Sequence, residues 1–514
     1  MVRHTSGGRQ FNWLNLLTII AMSFGSMTYG YSASIISTTL SQPSFNAYFD
    51  LDTRSDATAL ISTMNGLYQV GGFLGVFTVS WFADKWGRRA AIGVSALITL
   101  VTGALLAGSV NVAMFIVVRF FSGAGAFMIL SAVPIWMNEV TPPRNRGMLV
   151  DIHGAALLFG YFLAAWVGYG FFHLDSPNAW RAPLAFQCLP ALIVLVGLPF
   201  MPESPRFLLI HDRYDEAAAN LKRLHTSDEA AVELEQISHQ MQIDRTLPSS
   251  YWALVTKPSY RKRTLLCLGT TCGIQFSGIL VINNYGPILY GNLGYDVDQQ
   301  LVLLGGWLTL AFGSGVLSLF LVDHFPRPKL IGGGIAACSE CDRMNERDAV
   351  DADTVLVVCL IIECALVAEF VGTTNTAALS AAVAMFYIYV IFYELTLDGL
   401  QFAYIGELFP THLRAKGMNI GVAGICLMNI IWLQAAPTAF ANIGWQFYLC
   451  FIIPGCLMAG LIYFTFPDTW GVPLEEVAAM FGDHDEIYDA SKHAKEEINA
   501  EHSEKVSVDD KSAV

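Results

Sequence analysis

The chain has 514 residues, of which 54% are hydrophobic and only 14% charged, too apolar a mixture for ordinary soluble domains. The formal net charge is −14, but the acid excess gathers in loops and behind Asp468, which argues against nucleic acid as a partner. Ten scattered cysteines make no disulfide framework. Cys338 and Cys341 have no second pair at ligand spacing, so neither a metal nor a cofactor is expected.

A helix that crosses a bilayer needs about 20 apolar residues, because lipid offers no partner to a free backbone N–H or C=O. Stretches free of Asp, Glu, Lys, Arg and His cover 11–49, 57–83, 90–118, 120–138, 154–172 and 182–201. They predict six spans, the first too long for a signal peptide and read as a retained helix. From 202 to 262 the chain turns hydrophilic, with helical patterning at Tyr214–Leu224 and 229–241. Clean runs resume at 264–295, 299–322 and 417–466, the last divided by Pro437 and the stretch 442–445, with less pure spans near 355–371 and 377–400.

The expectation is an all-α polytopic membrane protein with about twelve transmembrane helices. Residues 1–201 form an N-terminal six-helix bundle, 202–262 a cytoplasmic linker with short helices, 263–466 a C-terminal six-helix bundle, and 467–514 an acidic cytoplasmic tail. With both termini cytoplasmic, Arg54 and Arg181 alone among the basic loop residues face outward, as the positive-inside rule requires. The plasma membrane is the expected location.

An internal repeat supports two halves. Glu139, Pro142 and Arg146 recur as Glu407, Pro410 and Arg414 at an offset of 268 residues, and Pro202, Glu203 and Ser204 as Pro467, Asp468 and Thr469 at 265. Asp84 and Arg88 recur as Asp323 and Arg327 at an offset of only 239, so the second half carries 29 extra residues. The charged run around 338–354 accounts for much of the excess and reads as an insertion in the ninth-span region. Parallel six-helix repeats build a central site between two bundles.

The motifs ADKWGRR (83–89), RFFSGAG (119–125), NEVTPPRNRG (138–147), PESPR (202–206), QFSG (275–278), GELFPTHLRAKG (406–417) and PDTWGVPLEE (467–476) resemble the sugar porter family of the major facilitator superfamily. The wording around 29–34, 282–287 and 397–407 resembles its fungal hexose and lactose permease-like members. The resemblance implies the major facilitator fold and a carbohydrate transporter working by alternating access, facilitative or proton-coupled, with no enzymatic activity. A nutrient sensor on the same fold, or a transporter of a sugar acid or other polyol-like molecule, is the alternative. The implied partners are a small sugar, the lipid bilayer and, in a symporter, protons.

The resemblance also supplies site residues. Gln275 matches a sugar-contacting Gln of the seventh span and Tyr285 one of its paired tyrosines, with Asn283 and Asn284 between them. Ile274, Leu280 and Gly154 depart from the family's polar residues. Gln401 and Phe402 lie on the tenth span, Phe402 at the position of a family Trp; Asn429 and Trp432 on the eleventh complete the candidates, with His153 secondary.

Arg119 costs about 2.5–3.5 kcal/mol inside a span unless it finds a partner. In proton-coupled members an Asp on the first helix pairs with it, and Ser32 stands there instead. Asp398 and Glu394 on the tenth span are the remaining candidate coupling carboxylates, since intramembrane acids default to function. Asp84, Arg88, Glu139 and Arg146, with Asp323, Arg327, Glu407 and Arg414, form the expected cytoplasmic gate of charge-assisted hydrogen bonds.

Overall fold

The computed structural model describes residues 13–141, 146–224, 227–321, 331, 355–370, 375–410, 412–469, 477 and 480–482. Asp323, Arg327, the 338–354 segment and almost all of the acidic tail lie outside these, and so does the side chain of Arg146.

Each apolar run closes into a helix, which satisfies every backbone donor and acceptor within the segment. The first six crossings are α1 (Trp13–Leu40), α2 (Ala57–Trp86), α3 (Arg88–Ala107), α4 (Val112–Val140), α5 (Arg146–Phe172) and α6 (Arg181–Phe200). Four helices follow, α7 (Pro205–Ile210), α8 (Tyr214–Leu224), α9 (Ser227–Thr246) and α10 (Tyr251–Thr256). Phe207, Leu208, Ala217, Leu221, Leu234 and Ile237 bury together in a small separate core of this linker.

The seventh crossing is broken into α11 (Pro258–Gln275) and α12 (Ile279–Asn292). The break falls at Gly278, whose φ of +74° is left-handed and strained for any side chain. Then come α13 (Val297–Leu321) and α14 (Val355–Phe370), the latter a helix where the weaker ninth span was expected. The tenth crossing joins α15 (Thr376–Tyr393) to α16 (Gly399–Leu408) through a π-helical turn at Glu394–Asp398. The chain ends its crossings with α17 (Arg414–Ile443) and α18 (Leu449–Thr465), which brings the described residues to twelve.

Large apolar side chains point outward along the bundle, Leu457 with 72% and Phe464 with 75% of their surface uncovered. Such a surface suits hydrocarbon, where helices gain nothing by hiding apolar groups from one another and associate through close packing instead. The α2–α4 crossing shows this. A Cβ at Gly123 would stand 1.9 Å from the Tyr68 carbonyl oxygen, and one at Gly71 would stand 1.9 Å from that of Phe120.

The sequence repeat has a structural counterpart beside the motifs. Trp136, three residues before Glu139, donates its indole N–H to the Pro202 carbonyl at 3.0 Å. Tyr404, three before Glu407, donates its hydroxyl to the Pro467 carbonyl at 3.0 Å. One core gathers Phe127, Met128 and Trp136 with the other first-half helices; a second gathers Tyr290, Trp307, Tyr389 and Tyr404.

Candidate functional site

A cavity of about 70 Å³ lies where α1, α4 and α5 meet α11, α12, α13, α15, the π turn, α16 and α17. Its walls mix Leu157, Leu158, Ile279 and Leu308 with aromatic faces from Tyr29, Phe127, Tyr161, Trp307, Tyr393 and Phe402. Amide and carboxyl groups enter from the second half: Gln275, Asn283, Glu394, Asp398 and Gln401. The π turn widens the tenth crossing by one residue, a device frequent at functional sites, and sets both carboxylates on the cavity wall. The Gln401 amide donates to Asp398 Oδ1 at 3.3 Å. Glu394 Oε2, Gln401 Oε1 and Asn283 Oδ1 are buried without a protein partner.

Of the expected site residues, Gln275, Asn283, Gln401, Phe402, Glu394 and Asp398 line this cavity. The others stand elsewhere. The Asn284 amide turns back to the Leu280 carbonyl on its own helix at 2.9 Å. Trp432 is held among the rings of Phe276, Phe447 and Phe451, and Asn429 is buried on α17. His153 Nδ1 bonds Ser26 Oγ at 2.5 Å across α1 and α5, a helix-packing contact.

Arg119 is fully enclosed and answers its charge without a carboxylate. Its Nη1 donates to the Ser32 backbone carbonyl at 3.0 Å, and its guanidinium lies 4.2 Å from the Tyr68 ring centroid, where the ring's negative face attracts a cation. The Ser32 hydroxyl accepts from Tyr68 at 3.3 Å and meets Ser122 at 3.2 Å.

Polar bridges tie the two halves together at both ends of the bundle. At the end away from the linker, the Tyr285 hydroxyl accepts from the Asn65 amide at 3.0 Å and donates to the Leu433 carbonyl at 2.8 Å. This joins α12 to α2 and α17. At the linker end Asn419 on α17 donates to Ser80 on α2 and to the Tyr251 hydroxyl at 3.4 Å; Ser80 and Tyr251 themselves meet at 2.7 Å. Tyr285 sits in the 282–287 stretch, whereas Asn65, Ser80, Tyr251 and Asn419 lie outside the recognised motifs.

The charged linker-end motifs are also engaged. Arg88 grips Glu139 through two bonds of 2.9 and 3.0 Å and lies 3.7 Å from Asp84. Glu203 accepts from the backbone N–H groups of Arg88, Arg89 and Ser204, and burial pushes its carboxyl above the ordinary value. In the second half, Thr469 donates to Glu407 at 2.6 Å and Arg414 opens α17.

Residues 18–481 match the family described as Sugar (and other) transporter. The chain belongs to that family. It is 29% identical to the MFS-type transporter criB of Aspergillus cristatus, over 92% of this chain and 96% of that one. It is 26% identical to a high-affinity glucose transporter of Kluyveromyces lactis, over 89% and 83% of the two chains. A probable quinate permease of Aspergillus niger is also 26% identical, over 92% and 88%. Among solved structures, the major facilitator proton:xylose symporter XylE bound to 6-bromo-6-deoxy-D-glucose superposes with a TM-score of 0.74, over 91% of this chain and 99% of that one. A partially occluded inward-open form of XylE from E. coli gives 0.71. At 22% and 20% identity these two show the fold alone, which is the major facilitator fold. The protein is thus a multi-pass membrane transporter, and its relatives are transporters and permeases rather than enzymes.

Proposed function

We propose that this transporter carries a sugar by alternating access, with the cavity around Gln275, Asn283, Glu394 and Gln401 as its binding site. The observation that carries the reading is the position of that cavity between the Asn65–Tyr285 bridge and the Ser80–Asn419 bridge, with Val422 and Ile425 of its wall lying on α17 between Asn419 and Leu433. Amide and carboxyl groups supply hydrogen bonds for hydroxyls, and aromatic faces suit the C–H surface of a sugar ring. At about 70 Å³ the space is far below the roughly 300–1,000 Å³ of ligand pockets, so entry requires one bridge to part while the other holds. The two halves then act as the moving bodies, with the linker end facing the cytoplasm and the Arg88–Glu139 and Glu407 networks bracing the closed inner side.

Facilitative transport is the coupling mode the central charge favours. Arg119 draws its partners from the Ser32 carbonyl and the Tyr68 ring, with no carboxylate among them. A second reading has its own observation: Asp398 and Glu394 both line the cavity, where a carboxyl could take up and release a proton with substrate. Labelled hexose uptake into vesicles of purified protein tests both. Uptake that ignores collapse of the proton gradient supports passive transport. Gradient-driven accumulation that vanishes in Asp398→Asn while counterflow survives would establish the second, and absence of any hexose uptake would overturn the sugar reading.

A further inference from the structure

The charged groups on the cavity wall have one sign. Gln401 donates its amide N–H to Asp398, which fixes its orientation, since a carboxylate can only accept; its oxygen Oε1 is therefore the atom left buried and unpartnered. Glu394, with 6% of its surface uncovered, has Oε2 in the same condition. Asp398 lies one π turn from Glu394, so two carboxyl groups share one small space. No Lys, Arg or His is among the described residues lining it. The buried cation Arg119 is held by Ser32 and Tyr68 and is not part of the wall.

A wall with two carboxyl groups, buried acceptors and no cation favours ligands that donate. A carboxylate ligand offers only acceptors and adds a like charge in a poorly screened space. A neutral polyol donates from each hydroxyl, and an ammonium group donates and also meets the faces of Tyr29, Tyr161 and Tyr393.

Resting on the cavity as the substrate site, we infer that this transporter admits neutral and cationic donor-rich substrates and rejects carboxylates, with Glu394 and Asp398 as the specificity-determining residues. A hydroxy-acid anion is thereby excluded even though its ring hydroxyls match those of a sugar.

The test uses four ligands on one ring: glucose, glucuronate, the uncharged glucuronamide and glucosamine, each competing against labelled glucose in vesicles of the full chain at neutral pH. Glucuronamide and glucosamine should compete as glucose does, and glucuronate about a hundredfold less well. In the double variant Glu394→Gln, Asp398→Asn the penalty on glucuronate should shrink to less than about tenfold; where that variant does not fold, the wild-type comparison decides alone. Equal competition by glucuronate, equal failure of glucuronamide, or a penalty untouched by the double variant overturns the inference. Thermal-shift binding separates it from the sugar reading. Binding of glucosamine without transport of glucose removes the sugar and keeps the selectivity, whereas binding of glucuronate alone, or of none of the four, removes both.

Discussion

Removing one hydroxyl from Tyr285 should unlatch the end of the bundle away from the linker. In Tyr285→Phe two hydrogen bonds are lost, the one accepted from Asn65 and the one donated to the Leu433 carbonyl, while the ring keeps its place in the core with Val281 and Leu433. Of the two, only the Asn65 bond crosses between the halves, and at about 0.5–1.5 kcal/mol it is the one that opening breaks. Water replaces it when that end opens, so this loss falls on the closed state alone. The closed-to-open ratio at that end should fall about 2- to 13-fold. A cysteine in place of Gln69, one helical turn deeper on α2, reports the change through its rate of labelling by a membrane-impermeant thiol reagent. The exposed Cys450 and Cys456 are first replaced by serine. Asn65→Ala alone should give a comparable acceleration, and adding it to Tyr285→Phe should give less than the sum. An unchanged labelling rate in Tyr285→Phe, with the protein folded, would refute the latch.

Gly123→Val forces side-chain carbon against the Tyr68 carbonyl and should cost about 1–3 kcal/mol or prevent folding; Gly154→Ala, with open space around the new carbon, should leave the thermal midpoint of the purified protein unchanged. Burial raises the Glu203 carboxyl, so its contribution to stability is full below the ordinary carboxylate range near pH 4.3 and declines as pH rises through the shifted value. Wild type should therefore gain stability over Glu203→Gln as pH falls from neutral toward about 4.3, and a pH-independent difference would contradict the shift. Ser32→Asp places a carboxyl beside Arg119 and should make uptake sensitive to the proton gradient; uptake that ignores the gradient in that variant would detach this position from coupling.

What the sequence determines by itself follows from the solvent. Hydrocarbon denies the backbone every partner outside its own segment, so apolar length decides where a helix lies, as at Ala57–Trp86 or Val355–Phe370. The repeated marks at Glu139 and Glu407 reveal the second half as a relative of the first, and the recurring Trp136 and Tyr404 contacts follow from the same spacing. The facing of each polar residue is a different matter. Neighbouring residues point about 100° apart on a helix, so Asn283 reaches the cavity while Asn284 bonds its own backbone and Tyr285 latches α12 to α2. The roll of each helix is set by what it packs against, through contacts such as Gly123 on Tyr68. The bridge from Asn65 to Tyr285 spans 220 residues of sequence, and the cavity's tyrosines come from α1, α5 and α15. Only the tertiary structure decides such meetings, because no local propensity in any one helix encodes the position of its neighbour.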